Sequence, residues 1–322
     1  MSIMEIEFKS FNERDTVKAW RYSPITKPKA IVQVVHGLGE HSRRYLHMIL
    51  KMNDAGFVVC ADVHVGHGKT AYDANTWGDL GSKGYMTTIE DEHTLRKIVT
   101  EEYPALPYIM FGHSWGSMIA RNYAAKYAEG MAGLIICGAS ADFSNMLDLV
   151  DKTQDYIDQG RDDEVVMDLI IDAFGDMTDR YENVNTPMDW ISADEGVVAD
   201  HSSDPFNNLS TPMNIRLLYD MGMALKMIQG TEWAEKIPEN LPIYNIAGSM
   251  DPVASYGEGT KTITRWLTET GHKDLTTKIY PGFRHEIHNE PPIRDEVEDG
   301  IIAFINKCLP AAGAEADSAP RE

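Results

Sequence analysis

The sequence predicts an α/β fold: a mostly parallel central sheet flanked by helices, with an inserted, mainly helical cap. Three observations predict it. Short apolar runs recur along the chain, amphipathic stretches separate them, and the alternation is suspended once, between Ser140 and Leu241.

The apolar runs are residues 31–35, 58–62, 108–111, 134–137, 243–247 and 276–280. Each is bounded by turn-forming residues, which is the form of a strand buried on both faces. Between them, residues 45–53, 90–102 and 118–127 place apolar side chains at three- and four-residue steps, the helical period. Strands alternating with such helices make βαβ units with right-handed crossovers.

The organisation expected is a core in two parts, 1–139 and 237–309, with a cap insertion over 140–236. The small, polar, proline-containing segment 310–322 is expected to be a flexible tail. From Asp142 to Asp204 there are eighteen Asp or Glu against Lys152, Arg161 and Arg180, so much of the net charge belongs to the cap. Residues 165–174 keep an apolar helical face, and 213–228 carry Met213, Met221, Met223 and Met227. Thioethers suit an adaptable apolar surface. These side chains either pack the cap onto the core or line an acyl-binding groove, for which Met213, Leu217 and Met221 are the candidates.

The 322 residues are 43% hydrophobic and 25% charged, enough apolar material for a large buried sheet. A formal charge of -21 repels phosphate backbones and anionic membrane surfaces, which argues against nucleic acid as a partner. Cys60, Cys137 and Cys308 are widely spaced without metal-ligand spacing, and two of them fall in buried runs, as core thiols of a reducing compartment do. No apolar stretch approaches a membrane span and the first residues lack a leader pattern, so the expectation is a cytoplasmic protein without integral membrane association. Transient lipid contact through apolar cap residues stays compatible with the charge.

After the 108–111 run comes Gly112-His113-Ser114-Trp115-Gly116 and then a helical pattern. This strand, G-x-S-x-G, helix order is that of a nucleophile elbow, in which a strained turn exposes the serine and the flanking glycines remove Cβ clashes. In that arrangement an acid and then a histidine follow in loops after later strands. Asp251, in Gly248-Ser249-Met250-Asp251-Pro252, follows the 243–247 run. His285, in Pro281-Gly282-Phe283-Arg284-His285, follows the 276–280 run, with His288 as the alternative base. A serine hydroxyl is a weak nucleophile at neutral pH, so a histidine must take its proton and a carboxylate must orient that histidine.

His36-Gly37-Leu38-Gly39-Glu40-His41 follows the 31–35 run, where the second oxyanion donor belongs. The donors assigned are the backbone amides of Trp115 and Leu38, each typically worth about 3 to 4 kcal/mol in the transition state. His36 and His41 read as structural hydrogen-bonding residues, and no metal or other cofactor is expected. Asp62 and His67-Gly68 read as loop architecture.

Together these segments, with Ser42-Arg43-Arg44-Tyr45, Gly66-His67-Gly68, Asp251-Pro252-Val253 and Tyr280-Pro281-Gly282-Phe283-Arg284-His285-Glu286, resemble the monoacylglycerol lipase and lysophospholipase group of the α/β-hydrolase superfamily. The resemblance extends to about Leu309. It implies a Ser114, Asp251 and His285 triad, Leu38 and Trp115 amides for the oxyanion, a mobile helical cap over an acyl tunnel, and a metal-free, cofactor-free mechanism. Within the cap, residues 186–192 and Asp204-Pro205-Phe206 look like bacterial members. Phe206-Asn207-Asn208 departs from the Cys-Gly-Phe those relatives often carry.

The activity implied is hydrolysis of neutral, lipid-like carboxylic esters such as monoacylglycerols, with a small-molecule ester as the partner. The acidic cap is expected to disfavour anionic headgroups. The alternatives are a lysophospholipase, a short-chain or aryl carboxylesterase, an acyltransferase, an aminopeptidase of the iminopeptidase group, or a binding module on a hydrolase fold.

Overall fold

The computed structural model describes residues 1–141, 144–175, 177–207 and 213–310. Eight strands form one sheet: β1 (Ser2–Lys9), β2 (Thr16–Ser23), β3 (Ala30–Val35), β4 (Phe57–Val63), β5 (Tyr108–His113), β6 (Met131–Cys137), β7 (Ile243–Gly248) and β8 (Leu275–Tyr280). Their order is β1-β2-β4-β3-β5-β6-β7-β8. β1 and β2 are antiparallel to their neighbours, whereas β3 to β8 are mutually parallel.

Each apolar run read from the sequence falls inside one of the parallel strands. β3, with the pattern AIVQVV, is buried at every position, and β4 likewise. The N-terminal hairpin is an addition to the sequence reading. In β1 only Ile6 and Phe8 are buried, while Glu5, Glu7 and Lys9 between them face out. That is the period-two pattern of a strand with one solvated face, and it contains no continuous apolar run.

The helices of the first half are α1 (Leu46–Asp54), α2 (Gly68–Ala74), α3 (Met86–Glu102) and α4 (Trp115–Tyr127). Four more lie between β6 and β7: α5 (Ser144–Asp158), α6 (Met167–Phe174), α7 (Glu195–Ser203) and α8 (Ile215–Lys226). Among the described residues that interval holds no strand. After β7 come α9 (Glu258–Glu269) and α10 (Arg294–Lys307). One sheet face is covered by α3, α4 and α9 through Leu95, Val99, Ile119, Tyr123 and Ile263, and the other by α1 and α10 through Met48, Met52, Ile301 and Phe304. Truncating one such side chain to alanine typically costs about 2 to 5 kcal/mol.

β3 and β5 are neighbours, but the chain leaves β3 toward β4 on one side and builds β6 to β8 on the other. In open α/β sheets ligands bind at the carboxyl ends of strands where the order reverses. Leu38 follows β3 and Ser114 follows β5, so both lie at that switch point.

The interval between β6 and β7 is attached to the core in two ways. α8 packs on α5 through Gly222, where a Cβ would lie 2.6 Å from Val150 Cγ2, and Asn122 of α4 donates to the Ala224 carbonyl at 2.9 Å. Residues 189–193 instead bond to the loop after β8. His285 N donates to Trp190 O at 3.3 Å, Glu286 N to Ile191 O at 2.8 Å and Ala193 N to a Glu290 carboxylate oxygen at 2.9 Å. Asn208 and the tail from 311 onward lie outside the described residues.

Candidate active site

Ser114 stands between β5 and α4 with φ 56° and ψ -122°. A side chain forced into positive φ costs roughly 1 to 3 kcal/mol, so the surroundings must impose it. They do. Ser114 N donates to Cys137 O of β6 at 2.9 Å, and the Ser114 carbonyl accepts Ser117 N at 2.9 Å and Ser117 Oγ at 2.5 Å. The motif glycines are dictated by clearance. A Cβ on Gly112 would lie 2.7 Å from Ala120 Cβ, and one on Gly116 would collide with the Val35 carbonyl.

Asp251 and His285 come together from the ends of β7 and β8. His285 Nδ1 lies 2.9 Å from Asp251 Oδ1, and the same oxygen accepts Val253 N at 2.9 Å. Both side chains are buried. Gly248 lets the histidine loop cross the end of β7, since a Cβ there would strike the carbonyls of Phe283 and Arg284. Burial disfavours the imidazolium, yet the charge and hydrogen bond of Asp251, supplemented by Glu286 and Glu40, hold His285 above the ordinary histidine value. With Nδ1 committed to the carboxylate, Nε2 is the nitrogen left for a reacting group. His288 is buried elsewhere, stacked on Tyr45 with ring centroids 4.8 Å apart.

The loop after β3 is held by a buried polar cluster that sequence reasoning did not assign. Glu40 accepts Gly37 N at 2.7 Å, Tyr45 OH at 2.6 Å and Arg44 Nη1 at 3.0 Å. Arg44 forks onto Glu286, with Nη1–Oε1 at 2.5 Å and Nη2–Oε2 at 2.9 Å. Glu286, the residue after His285, is thus clamped to the loop that carries Leu38. Burial works against ionisation of Glu286, but the Arg44 charge and hydrogen bonds bring it to about 2. For Glu40, too, burial is outweighed, by the His113 hydrogen bond and the Arg44 charge, and its carboxyl titrates well below the usual range.

A family model described as serine aminopeptidase, S33 (Hydrolase_4) matches residues 26–292. The chain belongs to this family. It is 27% identical over 289 residues to the monoacylglycerol lipase of Mycolicibacterium smegmatis, covering 88% of this chain and 92% of that one. Among solved structures it is similar to a thermostable carboxyl esterase from Bacillus coagulans in complex with glycerol, with 60% identity, 96% and 99% of the two chains covered and a TM-score of 0.93. A lipase in an open form shares 38% identity, with 95% and 99% covered and a TM-score of 0.90.

In this family member Ser114 borders two contiguous hollows. The apolar one is lined by Leu38, Trp115, Met118, Met146, Phe174, Met177, Trp190, Met221 and Val253. Its free space is about 50 Å³, far below the roughly 300 Å³ of an ordinary ligand pocket. Of the three candidates for an acyl groove, Met221 lines this hollow. Met213 and Leu217 do not. Leu217 points toward the 76–85 loop, its Cδ2 lying 3.4 Å from where a Cβ on Gly78 would sit, and both residues belong to the buried core. The second hollow is more polar and includes Glu40, His113, Trp190, His201, His285 and Glu286.

His36 and His41 hold the loop in place. His36 Nδ1 lies 2.8 Å from Gly37 O, and its Nε2 accepts His64 N at 3.1 Å. His41 Nε2 lies 2.8 Å from Asp204 Oδ2, joining the loop to the end of α7. His36 also groups with Asp62 and His64 as possible metal ligands, but with both nitrogens engaged it has no lone pair to offer an ion. Asp62 ends up inside β4 rather than in a loop. Among the described residues no helix is long and apolar enough to cross a membrane.

Proposed function

We propose that Ser114, His285 and Asp251 hydrolyse neutral, lipid-like esters such as monoacylglycerols, with the amides of Leu38 and Trp115 as oxyanion donors. The chain is a carboxylic ester hydrolase. The observation that carries the residue roles is the constrained positive φ of Ser114 beside a buried His285–Asp251 pair whose histidine borders the same hollow. In this reading residues 140–236 form the cap, and the cysteines, free thiols in the fold, suit a reducing, cytoplasmic setting.

Ser114 Oγ adds to the ester carbonyl as its proton passes to His285 Nε2, and Asp251 stabilises the imidazolium through Nδ1–H. The carbonyl oxygen becomes an oxyanion facing the Leu38 and Trp115 amides. The Trp115 N–H is one of the donors that the first turn of α4 leaves without an intrahelical partner. Collapse expels the alcohol, which takes the proton from Nε2 and leaves an acyl-enzyme. Water then repeats the sequence, freeing the carboxylic acid and Ser114. The acyl chain occupies the methionine-lined hollow and the alcohol the polar one.

The family description makes an aminopeptidase the second reading. Binding a free ammonium needs an uncommitted carboxylate. The acids bordering the Ser114 hollows among the described residues are Glu40 and Glu286, and both are taken up by Arg44. Turnover of p-nitrophenyl decanoate is therefore expected to exceed that of proline p-nitroanilide by roughly a hundredfold or more in kcat/KM. Preference for the anilide would replace the esterase reading with the peptidase one.

A further inference from the structure

The polar hollow contains one side chain with no part in the chemistry above. His201 lies in the last turn of α7, is buried, and borders the same hollow as Ser114 and His285. Among the described residues neither ring nitrogen makes a hydrogen bond, and neither is among the atoms sealed in the interior without a partner, so the ring is available to a group entering the hollow. The backbone that carries the ring is held at several points. The His201 carbonyl accepts Asn207 Nδ2 at 2.8 Å, the Asp194 side chain caps α7 by accepting Val197 N at 3.0 Å, and Asp204 at its end is tied to His41. Upstream, Trp190 and Ile191 are bonded to the backbone of the histidine loop. The segment that carries His201 is thereby tied to both the loop of Leu38 and the loop of His285.

Burial, reinforced by Arg44 and opposed by Glu286, Glu40 and Asp200, keeps the His201 ring below the ordinary histidine value. A neutral imidazole offers one donor and one acceptor, the complement of a hydroxyl group. The hollow has little to offer an anion. Its border includes two buried carboxylates, and the nearby guanidinium of Arg44 is already forked onto Glu286 and bonded to Glu40. We propose that His201 is a specificity-determining residue for the alcohol half of the ester, hydrogen-bonding the free hydroxyl groups of an uncharged polyol such as glycerol. This rests on the ester hydrolase reading of Ser114 and adds to it the residue that distinguishes a polyol from a simple alcohol.

The test compares monodecanoylglycerol with methyl decanoate, which share the acyl chain and differ in the alcohol. Wild type, His201→Phe and His201→Gln are assayed on both, and their melting temperatures recorded. The ratio of kcat/KM for the glycerol ester to that for the methyl ester is expected to fall about tenfold in His201→Phe, the scale of one or two lost neutral hydrogen bonds. His201→Gln, which keeps a donor and an acceptor, is expected to recover most of that ratio. If both esters lose activity in parallel, or the ratio is unchanged in His201→Phe, the proposal is overturned while the esterase reading stands. A wild-type enzyme inactive on both esters overturns the two together. Should His201→Phe fail to fold, His201→Leu and His201→Gln are compared by the same ratio.

Discussion

At the residue scale, the proposed mechanism depends on keeping one imidazole, that of His285, neutral at Nε2 and aligned at Nδ1. Burial alone would push the His285 pKa down, but Asp251, Glu286 and Glu40 reverse the sign. Because protonation is favoured over that of an ordinary histidine, the fraction of neutral base falls off sooner as the pH drops. The acidic limb of kcat/KM is therefore expected above the ordinary value of 6.5, measured as a pH profile on an uncharged ester. The same shift has a stability consequence of opposite sense. A histidine with a raised folded pKa contributes stability that is fully present below its unfolded value and is lost as the pH rises through the folded one. A limb below 6.5 would mean that Asp251 is not the dominant partner in the working enzyme.

At the element scale, the position of α8 decides which of its side chains border the hollow beside Ser114. Asp220 of that helix is buried against the start of α3, where a Cβ on Gly84 would collide with it. Burial, with Asp79 adding repulsion, outweighs Arg216 and the Tyr85 amide and raises its carboxyl from 3.8 to about 7. The folded state then holds a proton that the unfolded chain has released, so stability from this group declines as pH rises from 3.8 through about 7. Asp220→Asn, neutral throughout, is expected to gain melting temperature over wild type as pH goes from about 5 to about 8, by roughly 2 to 4 °C per kcal/mol recovered. A constant difference across that range would contradict this assignment.

The elements also show what was legible in the sequence. β3 to β7 were readable because burial on both faces leaves an apolar run, whereas the edge strand β8, exposed at Thr276 and Thr277, is not the doubly buried strand expected of 276–280. The elbow was readable because glycine clearance and serine strain are written in adjacent residues. β1 escaped because Glu5, Glu7 and Lys9 interrupt it on the solvated face. The Glu40–Arg44–Glu286 clamp and His201 escaped for another reason. Arg44 and Glu286 are 242 positions apart, and no local pattern marks such a pair. Leu217 and Met221 share one helical face by spacing, yet Met221 alone of the two borders the hollow. How a helix is rotated against its neighbours is a tertiary property that its own periodicity does not contain.

At the scale of the whole molecule, the two hollows beside Ser114 differ in how their walls are held. The polar side is built on residues 189–207, which are hydrogen-bonded to the histidine loop and, through Asp204, to the His41 loop. The apolar hollow is walled by Phe174 and by the flexible side chains of Met118, Met146, Met177 and Met221, carried largely on α5, α6 and α8 or next to them. About 50 Å³ of free space there does not admit an acyl chain, so the chain that the proposed reading places there needs these side chains or their helices to move. The polar hollow has still less free space, about 10 Å³, so in the proposed reading both sides must give way before an ester enters, the acyl side through its methionines.

The most direct test of this account is kcat/KM for p-nitrophenyl esters from acetate to long acyl chains, with Ser114→Ala measured in parallel. The account predicts a preference for medium or long chains in wild type and a loss of roughly 10⁴-fold or more at every length in Ser114→Ala. Activity that survives in Ser114→Ala, or a wild type that prefers acetate, would contradict it.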